Sequence, residues 1–177
     1  MTGGEPLIRD ARVQDAAACA AIYQPYVTDT AISFETDPPT PAEMAERIAA
    51  ALRSHAWLVL EDSGRVVGYA YGVPFNPRPG YRWACLVSVY LERGRHRTGG
   101  GRALYEALLT RLAERGLRTV LAAMTLPNEA SVGLHRAMGF EPVGTLRRIG
   151  YKHGGWHDVA WAQRSIGNDE EPPAEPR

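Results

Sequence analysis

The stretch that most constrains this chain runs from Val87 to Arg115. It holds an apolar strand-like run, a turn with three consecutive glycines (Gly99, Gly100 and Gly101), and a segment with Leu104, Leu108 and Leu112 on one helical stripe, stopped at Gly116. Consecutive glycines let a backbone approach a ligand closely, and the N-terminus of the following helix offers free N–H groups at the positive end of its dipole. Together they form a site suited to an anion such as a pyrophosphate. A plain tight turn has the same local signature, so the turn alone leaves both readings open.

Two nucleotide-binding templates fail on it. A P-loop requires a Lys directly after its last glycine, and none follows Gly101. A dinucleotide fingerprint starting at Gly99 requires a third glycine where Leu104 stands, and the next strand, Leu117 to Met124, ends without the acidic residue that would hold a ribose.

Strands and helices alternate along the rest of the chain. Leu7 to Arg12 reads as a short strand, and Asp15 to Tyr26 as a helix with Ala18, Ile22 and Tyr26 on one side. Thr40-Pro41-Ala42-Glu43 is a capping box with Pro at the first helical position, opening a helix to about Arg53. Ala56 to Glu61 and Arg65 to Val73 flank Asp62-Ser63-Gly64 as a hairpin. Phe75 to Gly80 is a Pro-rich loop and Tyr81 to Leu91 a long strand. Pro127-Asn128 opens a last helix that closes at Gly139-Phe140, and strands near Pro142 to Arg147 and Asp158 to Ser165 flank a Gly-rich bend. The class is α/β with a mixed sheet, in one domain over 1–166. The tail, 167–177, is too polar and Pro-rich to be expected to fold.

Charge and composition narrow the function. Lys+Arg and Asp+Glu number 20 each, which argues against a nucleic-acid binder. No apolar run approaches the roughly 20 residues of a bilayer span, and no secretion signal is readable, so a soluble cytoplasmic protein without a membrane partner is expected. Cys19 and Cys85 form neither a CxxC nor a ligand cluster. His153 and His157 are separated by two glycines, which exclude the helix that would aim both imidazoles one way, so no metal site is expected.

The turn His96-Arg97-Thr98-Gly99-Gly100-Gly101 resembles the acetyl-CoA turn of the GNAT superfamily, [Q/R]-x-x-G-x-[G/A], with His96 in the lead place. The resemblance extends from roughly Ile8 to Gln163. Ala31-Ile32-Ser33-Phe34-Glu35-Thr36, Ser88-Val89-Tyr90-Leu91, Leu126-Pro127-Asn128, Leu134-His135 and Lys152-His153-Gly154-Gly155-Trp156-His157-Asp158-Val159 resemble the phosphinothricin acetyltransferase branch. That resemblance implies a GNAT fold, a twisted mixed sheet flanked by helices. It implies acetyl-CoA as co-substrate, held by Val89, Tyr90, Leu91, Arg97, Thr98, Gly99, Gly100, Gly101, Arg102 and Asn128. His135 is implied as the acid that returns a proton to the sulfur, and a strand amide near Val89 as the oxyanion donor. A small-molecule amine acceptor of the phosphinothricin or methionine sulfone/sulfoximine type would be walled by Phe34, Arg78, Tyr81, Tyr90 and Val159, and a homodimer is implied.

The chain departs from the branch at two places. Leu86 stands where relatives carry a glutamate base, and Asn76 where they carry a lysine that pairs with Arg78 in binding the acidic acceptor. Either the acceptor arrives already deprotonated or the base comes from elsewhere, with Tyr81, Glu35 and His153 the nearest candidates by family position. One cation in place of two weakens hold on a doubly anionic acceptor, at on the order of 1.5–3 kcal/mol per charge-assisted contact. Two rivals follow: a protein N-terminal or lysine acetyltransferase with an open acidic groove, and a non-catalytic acyl-CoA-binding domain. The Pro-rich loop around Arg78 counts against the first, His135 and the Trp-His-Asp-Val segment against the second.

Overall fold

The computed structural model describes residues 6–95 and 98–177; His96 and Arg97, the latter among the residues expected to cradle a pyrophosphate, lie outside the described residues. Seven strands form one sheet in the order β1-β2-β3-β4-β5-β7-β6. They are β1 (Leu7–Asp10), β2 (Ala56–Asp62), β3 (Arg65–Pro74), β4 (Ala84–Leu91), β5 (Thr119–Thr125), β6 (Glu141–Lys152) and β7 (Gly155–Ser165). The helices are α1 (Ala16–Thr28), α2 (Pro41–Ser54), α3 (Gly100–Glu114) and α4 (Glu129–Ala137). Every neighbouring pair is antiparallel except β4 and β5, whose parallel register covers only Ala84↔Thr119, Cys85↔Val120 and Leu86↔Leu121. Beyond Leu86 and Leu121 the two strands part.

Period-two alternation sends the strand side chains into two cores. On one face Val87, Val120 and Ala122 pack under Leu104, Tyr105, Leu108 and Leu112 of α3. On the other, α1 and α2 cover Trp57, Val59 and Tyr69, with Tyr90 at the edge of the cluster. No residue of β5 or β7 belongs to that second cluster. The face there, carrying Leu86 and Ser88 from β4, Ala123 and Thr125 from β5, and Val159 and Trp161 from β7, lies beyond the two helices.

The local signals act as expected in most places. Thr40 Oγ1 accepts from Glu43 N at 3.2 Å and Glu43 returns a bond to Thr40 N at 2.8 Å, the reciprocal capping box. Gly116 and Gly139 close α3 and α4 with φ of 90° and 77°. Most element ends shift by a residue or two, and two departures are larger. The strand expected from Tyr81 begins at Ala84, because Arg78 and Pro79 carbonyls accept from Tyr81 N and Arg82 N in a short 3-10 turn. The expected Gly-rich bend near the C-terminus is absent as such. β6 and β7 run on to pair Lys152 with Gly155, leaving a two-residue turn in which His153 and Gly154 both have positive φ, 50° and 74°. That is the turn form whose twist suits a hairpin, and the cross-strand rings of Tyr151 and Trp156, 5.3 Å apart, hold the extension.

Residues 167–177 form no helix or strand, yet they run back along the domain. Glu175 receives two bonds from Arg82, the Trp83 indole N–H donates to Ala174 O at 2.8 Å, and Arg177 N donates to Arg115 O at 2.8 Å. No helix among the described residues is long and apolar enough to cross a membrane.

Leu108 is fully buried between α3 and the sheet. Leu108→Ala is expected to lower unfolding free energy by about 2–5 kcal/mol, and Thr40→Ala by about 1 kcal/mol, in urea titrations followed by tryptophan fluorescence.

Candidate active site

The parting of β4 from β5 opens a cleft of about 620 Å³. Val89, Tyr90 and Leu91 form one wall, Gly99, Gly101 and Arg102 the floor at the start of α3, and Asn128 with α4 (Glu129 to Ala137) the other wall. The three glycines do different work. Gly99 has φ of 82°, a left-handed conformation that opens α3. A Cβ on Gly100 would lie 2.8 Å from Leu60 Cδ2, so that position is packed against the sheet. Gly101 faces the cleft, where an added Cβ would meet nothing nearer than Leu134 Cδ2 at 3.6 Å. Thr98 Oγ1 donates to Arg95 O, and Arg102 Nε donates to Glu106, so Thr98 and Arg102 are positioned by neighbours rather than free. Past Leu86 the β5-facing edge of β4 has no strand partner. Unpaired strand edges of this kind add extended ligands readily. Tyr26 OH, from α1, donates to Leu91 O at 2.6 Å and fixes the strand's far end.

Deeper in the same opening lies a cavity of about 60 Å³ lined by Ser88, Val89, Tyr105, Thr125, Asn128 and His135, among others. Asn128 caps α4, its side chain accepting from Ser131 N at 3.1 Å. His135 is buried, with Nδ1 2.7 Å from Ser131 O and Nε2 2.8 Å from Tyr105 OH. A carbonyl can only accept, so Nδ1 carries the proton and Nε2 of the neutral ring accepts from the Tyr105 hydroxyl. Burial pushes the His135 pKa below its ordinary value, with the Ser131 carbonyl pulling weakly the other way. The ring is therefore neutral at neutral pH, and the hydroxyl of Tyr105, a residue that no sequence signal singled out, is the donor in the bond between the two. Its own pKa is raised strongly, first by burial.

The residues expected to wall an acceptor do not all share one face: the Tyr90 ring packs among Tyr23, Tyr26 and Tyr69 beside α1, 4.9 to 5.5 Å from theirs. Val159 is buried on β7, in register with Thr125. Phe34 is half-exposed, its ring 6.1 Å from that of His157. Tyr81 packs edge-on against Phe75 at 5.5 Å, and Phe75 against Trp161 at 6.5 Å, so the Pro-rich loop closes the opposite end. The Trp161 indole N–H is buried without a partner among the described residues, a donor on this face that no motif in the sequence marks. Arg78 is exposed at the loop; its backbone N–H donates to Asn76 Oδ1, and its guanidinium makes no ion pair among the described residues.

No carboxylate takes the place of Leu86, which pairs Val73 on one side and Leu121 on the other. Glu35 is held by two bonds from Arg47, at 2.7 and 2.9 Å, and one from Tyr23 OH at 3.0 Å. Arg47 holds its carboxyl below the usual range, which makes it a poor proton acceptor near neutrality. Asp158 accepts from Arg148 N, and the His153 ring donates to Thr30 O at 3.2 Å. Cys85 lies on the α3 side with burial pushing its thiol to about 12, which removes it as a nucleophile. Among the described residues no group of three or more His, Cys, Asp or Glu could hold a metal ion.

This sheet, cleft and glycine turn are those of an acetyltransferase. The family model described as an acetyltransferase (GNAT) domain matches residues 8–161. The chain belongs to that family and is an N-acetyltransferase. It is 41% identical over 170 residues to a phosphinothricin N-acetyltransferase of Streptomyces viridochromogenes, covering 96% of this chain and 91% of that one. It is 35% identical over 164 residues to an L-methionine sulfoximine/L-methionine sulfone acetyltransferase of Pseudomonas aeruginosa, covering 90% and 94%. A solved phosphinothricin acetyltransferase of Sinorhizobium meliloti, in complex with acetyl-CoA, superposes with a TM-score of 0.88 at 33% identity, over 98% of this chain and 96% of that one.

Because the folded pKa of His135 lies below its unfolded value near 6.5, the unfolded chain binds the proton first. Its contribution to stability is complete above that pH and is lost as pH falls below it. His55, also depressed by burial, adds to the same slope. The thermal midpoint is expected to drop between pH 7 and pH 5, and His135→Gln to lessen that drop while leaving the part due to His55.

Proposed function

We propose that the protein moves the acetyl group of acetyl-CoA onto the amine of a small amino-acid-like acceptor of the phosphinothricin or methionine sulfone/sulfoximine type. The observation that carries this reading is the opening of β4 from β5 above Gly101, with a ligand-sized cleft on one side of the sheet and the Phe34–Val159–Tyr81 face on the other. The relatives' substrates support the acceptor class, and the acetyl-CoA seen in the Sinorhizobium meliloti neighbour supports the donor. The edge of Val89, Tyr90 and Leu91 would pair with the pantetheine arm. The first amides of α3 from Gly99 to Arg102 would meet the pyrophosphate, with Arg97 and Thr98 just before them in the sequence. Asn128 and an amide near Val89 would flank the reacting carbonyl. The proton shed by the attacking amine, as its C–N bond forms and the C–S bond breaks, would pass to the departing sulfur by way of the Tyr105 hydroxyl, which gives up its own proton and takes the amine's, with His135 Nε2 holding that hydroxyl in place.

With Leu86 in place of an acid, the acceptor amine enters already deprotonated. Arg78 is the cation nearest the acceptor loop, which favours a singly anionic acceptor over a doubly anionic one. The long outer strand β6 leaves a backbone edge unpaired and exposes Val143, Leu146, Ile149 and Tyr151, a surface that a second copy in a homodimer would cover. Charge balance and two buried free thiols suit the reducing cytoplasm.

Free-thiol release from acetyl-CoA is expected with methionine sulfone or sulfoximine. Between pH 6.5 and the amine's own pKa, kcat/KM should climb about tenfold per pH unit; a profile that is flat above pH 7 would reveal a protein base. Stabilisation by CoA with no turnover across a panel of small amines would mark a binding domain instead. Gly101→Asp, which sets a carboxylate in the cleft without crowding the fold, should weaken acetyl-CoA binding at least tenfold by calorimetry while the thermal midpoint moves by only a few degrees.

A further inference from the structure

Lys152 is buried to 9% exposure near the end of β6, and no step above uses it. Its ammonium donates to Val27 O at 2.5 Å and to Ser33 O at 2.7 Å. The first carbonyl belongs to the last turn of α1, where carbonyls lack a partner within the helix and the dipole favours a cation. The second belongs to the segment that links α1 to α2. Lys152 forms no ion pair with any carboxylate among the described residues, so two carbonyls and the helix end, helped by the nearby charge of Glu35, offset the cost of burying it. Simple filling of the space would be met at lower cost by methionine.

The contact lies beside one acceptor wall. Ser33 immediately precedes Phe34, and Phe34 lies over Gly150, where an added Cβ would come within 2.3 Å of its ring. Gly150 pairs with His157 across the hairpin, and His157, Val159 and Trp161 alternate onto the open face. Pinning the Ser33 carbonyl therefore sets the direction of Phe34 relative to that face. The same segment meets the main cleft through Ile32, at its exposed rim.

We infer that Lys152 is a positioning residue for the acceptor: its ammonium holds the 30–36 segment so that Phe34 seats on Gly150 and closes the acceptor side of the site. This rests on the reading that the acceptor binds on the Phe34–Val159 face. Lys152→Met and Gly150→Ala undo the same seating from opposite sides, the first by releasing Ser33 and the second by displacing the ring.

With any acceptor that the wild type acetylates, each substitution is expected to raise acceptor KM at least tenfold. kcat and the acetyl-CoA dissociation constant should stay within about threefold, and the double substitution should not multiply the two effects. Should Lys152→Met fail to fold, Lys152→Gln, whose amide still reaches one carbonyl, should show the same split at smaller size. An acceptor KM within twofold of wild type in a folded Lys152 variant overturns the inference, and so does a parallel rise in the acetyl-CoA constant. If the wild type acetylates no acceptor, the functional reading fails instead, and amide hydrogen exchange over Ser33 to Glu35 decides: faster exchange in Lys152→Met supports the latch, unchanged exchange sinks it.

Discussion

The structure depends on the point where β4 and β5 stop pairing. Three parallel pairs, ending at Leu86↔Leu121, hold the middle of the sheet together, and past them both strands continue without each other. Unpaired peptide groups inside a domain are costly unless water or a ligand takes them, so a sheet that splits here must be braced on both sides. The brace is visible. β3 follows β4 as far as Gly68↔Leu91, and the Tyr26 hydroxyl takes the Leu91 carbonyl. β7 follows β5 along its whole length, from Thr119↔Ser165 to Thr125↔Val159. The opening is thus a property of two strand pairs, each held along its own length.

What reaches the opening from each side follows from the pleat. The α3 face sends Tyr105 toward His135, and the pairing of hydroxyl, imidazole and Ser131 carbonyl satisfies each polar group in a buried setting. The other face sends Leu86 and Ser88 beside Val159 and Trp161, with no fixed anion among them. The paired hydroxyl and imidazole thus lie on the α3 side of the opening, while the residues named on the other face carry no charge. Under the proposed reading, that asymmetry suits an acceptor that enters as its free base.

The elements that frame the cleft were legible in the sequence because their signals are local. Three glycines before a leucine stripe, an Asn just ahead of α4 and an apolar strand are each read within a few residues. The Gly100 packing against Leu60 and the Tyr26 bond to Leu91 were not legible, since each joins segments more than 30 residues apart. The same holds for Lys152, which reads as one charged residue in a turn and turns out to bridge to Val27 and Ser33. The length of β6 and β7 was hidden by their glycines: Gly150 is there to admit Phe34 rather than to end a strand, and Gly154 needs only a two-residue turn.

The places where the chain departs from the branch it resembles are also those where packing demands least. Gly100 lies under Leu60, His135 is tied at both ring nitrogens, and Tyr105 is fully buried, so a change at any of them disturbs the core as well as the site. Leu86 is only half-buried on the open face, Asn76 stands in the loop, and Arg78 is exposed. Substitution there alters what the pocket recognises with little penalty to folding, typically within about 0.5 kcal/mol for an exposed residue away from special backbone. On the proposed reading, acceptor preference can therefore drift on this scaffold while Gly100, Tyr105 and His135 are held by their place in the core.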